Sequence, residues 1–297
     1  MKADSLPSNK DKTLNSITFL SFVLSISLIA AIFIFLMVNS FPIFRHEGLR
    51  FLTGTSWHPV EGYCALPMIF GTVVVTFIAV CISLPLGLGS AIITSETLTG
   101  CLRGFTKTAI ELLAGVPGVI YGILGVFIVA PAIKQAFGLI DGSSILTAGI
   151  ILSIMILPTM MTLSDDTLRS IPKKYREQAV TLGFNRRETI MYVVLPMAKK
   201  GIMVAVLLSL SRAMATTVAV MMVIGSLDKI PKPLYNILAP AQTITSKLGR
   251  EVADTAGVGL HWNALAGLGL ILFIMVIVMT LIADVMINTS QENKSSA

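Results

Sequence analysis

Six stretches of this chain carry almost no charge, and they account for most of its length. They fall between Lys12 and Arg45, Glu61 and Glu96, Glu111 and Lys134, Asp141 and Asp165, and Asp254 and Asp284. A sixth, Gly201 to Leu227, is interrupted only by Arg212. Each holds the roughly 20 apolar residues a helix needs to cross a bilayer. Charged residues make up 13% of the chain, about half the share in a soluble domain, so little is left for a water-soluble catalytic domain. The expectation is an all-α membrane protein with six transmembrane helices, at about 14–40, 66–95, 108–133, 144–164, 200–226 and 262–287. They form one domain, 14–288, between polar tails 1–13 and 289–297.

Lysine and arginine set the orientation. With the N-terminus inside, fourteen of them fall in cytoplasmic segments and seven in outer loops, which predicts that both termini are cytoplasmic. The net charge of +6 is then a topology signal, and nucleic acid is not an expected partner. The first apolar run has no small-x-small cleavage site after it in Val38-Asn-Ser-Phe-Pro42, so it reads as an uncleaved signal anchor. Cys64, Cys81 and Cys101 have no metal-type spacing. Trp57 and Tyr63 in the first outer loop are expected at the membrane interface.

The longest polar insertion, 168–196, reads as two short helices hinged on a glycine. Leu168, Ile171, Tyr175, Ala179 and Leu182 recur at steps of three and four, a single helical stripe. Pro172 suits a first helical turn, and Gly183 can take the left-handed conformation that closes a helix. Asn185 with Glu188 has the residues of a capping box. With Lys173, Lys174, Arg176, Arg186 and Arg187 on its surface, the hairpin offers an amphipathic helix to a partner in water.

Within the membrane, Arg212 lies about 16 Å from the nearer end of its run, too deep for easy snorkelling. Its planar fork of donors suits an oxyanion, and Ser209, Ser211, Thr216 and Thr217 offer hydroxyls nearby. A structural arginine is the competing reading, with Glu111 the one acid on the cytoplasmic half able to pair with it. Glycines at 115, 118, 122 and 125 share one face of the third helix and permit close packing. Pro117 among them predicts a break, and Pro85 with two glycines predicts a kink in the second. Asp165 and Asp166 read as solvated acids at a helix end, and His46, His58 and His261 as solvated loop residues. There is no phosphate-loop motif and no nucleophile–base set, so the chain is not expected to be an enzyme.

Glu177-Gln-Ala179-x3-Gly183-x9-Val193-x-Leu195-Pro196 resembles the E-A-A-x3-G-x9-I-x-L-P loop of ABC-importer permeases, with Gln178 and Val193 as mild departures. Trp57-x-Pro59, Tyr63-x3-Pro67-x3-Gly71-Thr72, Glu111-Leu-Leu-Ala-Gly-Val-Pro117, Tyr121-Gly122 and Leu157-Pro158 are together similar to the phosphate-importer permeases, of the PstC type. The resemblance covers about residues 15–288. It implies a type I ABC-importer transmembrane domain whose hairpin is a coupling helix, with Tyr175, Glu177, Ala179, Leu182, Gly183 and Arg187 facing the ATPase.

The fifth helix departs from the family: G-R-A-x-G-E-T is replaced by Ser211-Arg-Ala-Met-Ala-Thr-Thr217, so Ala215 and Thr216 stand where glycine and glutamate are usual. The implied function is permease subunit of an importer of inorganic phosphate, with Arg212, Ser211, Thr216, Thr217 and Glu111 on the substrate pathway. The implied partners are a homologous PstA-type permease, an ATPase dimer that binds ATP and magnesium, a periplasmic or lipid-anchored phosphate-binding protein, and membrane lipids. No cofactor is implied in this chain. Molybdate, tungstate or sulfate permeases, and a stand-alone anion channel or carrier with a regulatory docking loop, are the alternatives.

Overall fold

The computed structural model describes residues 9–58, 62–257 and 259–295, with side chains described for 16–58, 62–257 and 259–286. Residues 1–8, Pro59 and 296–297 lie outside the described residues. Among the described residues six helices are long and apolar enough to span a membrane: Ser16–Glu47, Leu66–Thr97, Gly118–Phe137, Ile145–Arg169, Arg186–Met214 and Gly259–Met286. They are called the first to sixth spans here. Between them lie an interfacial helix, Gly100–Ala114, a hairpin helix, Lys173–Thr181, a short helix, Val218–Val223, and a loop helix, Ile244–Thr255. The 168–185 turn marks the hairpin end of the bundle. Segments 48–58, 62–65, 138–144 and 224–257 meet at the opposite end.

The second and fourth spans pack most extensively against each other, the first rests on the sixth, and the fifth touches the second, fourth and sixth. Small residues allow these approaches. A Cβ on Gly149 would sit 2.5 Å from the Ile78 side chain, and one on Gly87 2.8 Å from Met160. The central core gathers Val75, Ala79, Tyr121, Ile151, Leu152, Ile156, Ala219 and Val223. Smaller clusters close each end, around Ile43, Phe51, Met68, Ile244 and Leu265 at the loop end, and Met161, Leu168, Ile171, Val194 and Ala198 at the hairpin end. The first span has none of its most apolar window buried, so lipid or a neighbouring subunit covers it. Leu, Ile and Phe on all its sides match such a surroundings.

Several expected boundaries move. The first helix begins at Asn9 and ends at Glu47, and the last runs to Ser295, so both expected tails are partly helical. The second span runs unbroken through Pro85 and changes only at a π turn, Ile93–Thr97. Neighbouring helices and local π adjustment are how membrane helices absorb a proline. The third helix breaks, as Pro117 predicts: Gly100–Ala114 is separate, and Tyr121 Oη donates to Leu113 O across the gap at 2.7 Å. The fifth span starts at Arg186 rather than near 200, because the second helix of the hairpin simply continues into it.

Candidate functional site: an arginine beside a broken helix, and the hairpin surface

The fifth span ends at Met214, and the helix resumes only at Val218. The freed groups of Ala215–Thr217 are satisfied from two directions. Thr216 Oγ1 donates back to Arg212 O at 2.9 Å, and Thr245 Oγ1, from the loop end, donates to Thr216 O at 3.0 Å. The loop segment is itself anchored to the second span, since Ile244 N donates to Thr72 Oγ1 at 2.9 Å. Non-helical backbone at membrane depth persists where it is buried in protein or lines a cavity. Here Thr72, Thr76, Thr216, Thr243 and Thr245 surround a void of about 10 Å³, room for roughly one water.

Arg212 sits on the rim of this break with its side chain exposed, Nη1 donating to Thr159 Oγ1 of the fourth span at 2.6 Å. No acid lies within ion-pair distance among the described residues. Glu111 is exposed on the separate interfacial helix and does not meet Arg212. The other expected pathway hydroxyls do not gather around the guanidinium either. Ser211 is buried and bonds Leu207 O, Thr216 bonds its own helix, and the Thr217 methyl lies against Gly249. Thr159 is the contact that sequence reasoning missed, because Leu157-Pro158 marks the fourth span without saying which residue faces the fifth. The glycine face behaves as expected at two positions. Gly122 lies against Met222 and Ala219, and Gly125 against Val223 and Ile151, which brings Val218–Val223 onto the third span.

The hairpin matches its sequence closely. Gly183 has φ +90, Phe184 N donates to Ala179 O and Gly183 N to Val180 O, the paired bonds of a Schellman motif. Asn185 and Glu188 form the reciprocal capping box at 2.8 and 2.9 Å. Leu168, Ile171 and Ala179 are buried and Tyr175 half-buried under Lys174. Leu182, the last residue of the stripe, is 78% exposed next to the turn at Gly183. Val180 and Phe184, neither singled out from sequence, are exposed apolar residues at the same end of the hairpin, as are the charged Glu177 and Arg187. Asp165 departs from expectation. It is 4% exposed, with Arg103 Nη2 and Arg169 Nε each at 3.3 Å.

At the loop end, Lys247 is 2% exposed. Its ammonium meets Asp228 in a short contact and Glu251 at 2.5 Å, and lies 5.1 Å over the Trp57 ring. His261 Nε2 lies 2.9 Å from Glu251 Oε2, and its ring stacks on Tyr63. Burial raises the Asp228 pKa, opposed by its bond to Lys247, and burial followed by the nearby Glu251 charge raises that of Tyr63. Trp57, Tyr63 and His261 are thus parts of one packed cluster, and His261 is not the solvated residue expected. A cavity of about 1010 Å³ beside it is lined by residues that include His58, Ser226, Lys229 and Lys232.

A family model described as binding-protein-dependent transport system inner membrane component matches residues 83–291. The chain belongs to that family. It is 35% identical to the phosphate transport system permease protein PstC of Mesorhizobium japonicum, covering 93% of this chain and 90% of that one. It is 36% identical to a probable ABC transporter permease protein, YqgH, of Bacillus subtilis over 82% and 80%, and 34% identical to PstC of Pasteurella multocida over 88% and 86%. Among solved structures, the inward-facing methionine ABC transporter MetNI aligns with TM-score 0.57 at 15% identity, over 74% of this chain and 93% of that one. A bacterial alginate ABC transporter aligns with TM-score 0.57 at 16% identity, over 93% and 96%. The family member described here is therefore a multi-pass inner-membrane permease of the ABC-importer type, and the relatives are transport proteins rather than enzymes.

Proposed function

We propose that this chain is one of two translocation subunits of an ATP-driven importer of inorganic phosphate. The observation that carries the anion is Arg212: an acid-free guanidinium on an uncovered face, at the edge of a helix break. A tetrahedral oxyanion is the ligand class that a planar donor fork and a nearby threonine hydroxyl would hold. The relatives named as phosphate permeases support the choice of anion. A PstA-type permease would cover the Arg212 face, and a binding protein would deliver phosphate at the loop end. An ATPase dimer, holding ATP and magnesium, would seat the Val180–Leu182–Phe184 patch, with Tyr175, Glu177, Gly183 and Arg187 around it. Both termini then face the cytoplasm, as the lysine and arginine distribution supports.

External energy is required because an anion entering a negative cell climbs about 2.3 kcal/mol per charge per 100 mV. The test is ATP-dependent uptake of radiolabelled phosphate into vesicles carrying the whole complex, with sulfate and molybdate as competitors. Loss of phosphate uptake to equimolar sulfate or molybdate would move the assignment to those anions. Their permeases are the second reading because the acid usual beside this arginine is Thr216 here, leaving more net positive charge for a doubly charged oxyanion. Phosphate leaking down its gradient through this chain alone would instead identify a channel or carrier.

A further inference from the structure

The hairpin is held to the spans by more than its apolar seat. Arg176, 22% exposed in its side chain, reaches from the hairpin helix to Glu96, 11% exposed, in the π turn that closes the second span. Arg176 Nε donates to both Glu96 carboxylate oxygens at 3.2 Å, and Nη2 to Oε1 at 2.6 Å. The same guanidinium donates to Leu168 O at 2.9 Å, in the last turn of the fourth span where carbonyls lack helical partners, and to Ile171 O just beyond it at 2.7 Å. From the other side of the hairpin, Arg186 Nη2 donates to Glu96 O in a short contact. Glu96 is thus gripped from both helices of the hairpin, and Arg176 joins hairpin, second span and fourth span through one planar group.

The apolar contacts beneath, Ile171, Ala179, Val194 and Ala198, resist separation but have no preferred direction and permit sliding. A forked, charge-assisted grip fixes distance and angle together. The second span leads from this grip to Thr72, Val75 and Thr76, which line the small void beside Thr216 at the fifth-span break. We propose that Glu96 and Arg176 form a strut that passes displacement of the hairpin into the second span, and so to the pathway. The inference rests on the hairpin being the ATPase contact. Both are positioning residues: neither faces the anion or the patch offered to the ATPase.

The experiment uses the complete complex in vesicles, measuring phosphate uptake and ATP hydrolysis in the same preparation, with subunit ratio and thermal midpoint recorded for each variant. Glu96→Gln and Arg176→Gln should retain the wild-type subunit ratio and hydrolysis, while phosphate moved per ATP falls about tenfold, mid-range for an energetic coupling between sites. The double variant should be no worse than either single, since both remove one grip. Should Glu96→Gln fail to assemble, Arg176→Lys keeps the charge and removes the fork, and is read the same way. Unchanged phosphate per ATP in both singles overturns the strut. So does a fall in uptake that only follows lost assembly or a lowered midpoint, which would make the pair a stabilising contact alone. Wild-type vesicles that show no ATP-dependent uptake would overturn the transport reading itself.

Discussion

Arg212→Ala separates a functional arginine from a structural one by the size of its stability effect. Holding an arginine at membrane depth costs on the order of 3 kcal/mol on insertion scales. The one hydrogen bond its guanidinium makes among the described residues, to Thr159, returns about 1.5–3 kcal/mol. The two nearly cancel, so the alanine variant should unfold within roughly 1 kcal/mol of the parent. A cation caged by acids behaves differently: truncating one partner of a buried pair costs about 3–5 kcal/mol, which is the expectation for Lys247→Ala, given its two carboxylates. Transport should show the reverse order. Losing a charge that pairs with the anion costs about 2–5 kcal/mol, a drop in uptake of roughly 30-fold to a few thousand-fold. Arg212→Lys, with charge but no fork, should fall between. The assays are thermal unfolding of the detergent-purified complex and initial uptake in vesicles. If Arg212→Ala destabilises as strongly as Lys247→Ala, yet uptake per folded complex persists, Arg212 is a structural residue and the pathway lies elsewhere.

Gly183→Ala should weaken the hairpin by about 1–2 kcal/mol, the cost of a side chain in left-handed backbone. No atom lies within 4 Å of the added Cβ, so Gly183→Asn should recover part of the loss, read as ATPase co-purification. Gly71→Ala would put a Cβ 2.0 Å from Gln242 O, a backbone atom; it should displace the 240–247 segment and lower the thermal midpoint well beyond Gly183→Ala. At the loop end, Asp228→Asn should cost less than Glu251→Gln, because Lys247 keeps Glu251 as counter-ion in the first case. In the second it is left with a carboxyl whose ionisation burial already opposes. The pH sign follows from the raised Asp228 pKa: the folded state holds this proton more tightly than the unfolded chain. Its contribution is complete below the unfolded value near 3.8 and is lost as pH rises through the folded value. Asp228→Asn should remove that dependence from a pH series of unfolding midpoints.

The hairpin was legible almost atom by atom because its signals are local: a capping box and a left-handed glycine are fixed by residues within five positions of one another. The spans were legible for the same kind of reason, since a bilayer imposes length and composition on each helix alone. What the sequence did not carry are contacts between segments far apart in the chain. Arg212 stood out as an anomaly, but its partner Thr159 lies 53 residues away, and a threonine in an apolar helix gives no outward sign. Asp165, read as solvated from its place at a helix end, is buried because Arg103 arrives from another helix. Lys247 carries no signal in the sequence, yet Trp57, Asp228 and Glu251 close around it in the fold.

These misses share one physical form. An ionisable residue can be buried only where opposite charge or fixed dipoles meet it, and that meeting is a property of the fold, not of the neighbouring sequence. Glu96 shows the consequence most directly. By sequence it merely ends a charge-free run, yet in the fold it is where the second span, the fourth span and both hairpin helices are held together. On the proposed strut, a displacement applied at the exposed Leu182 would pass through Arg176 and Glu96 into the second span and on toward the Thr216 break, through contacts that a sequence-level account of the hairpin would leave out.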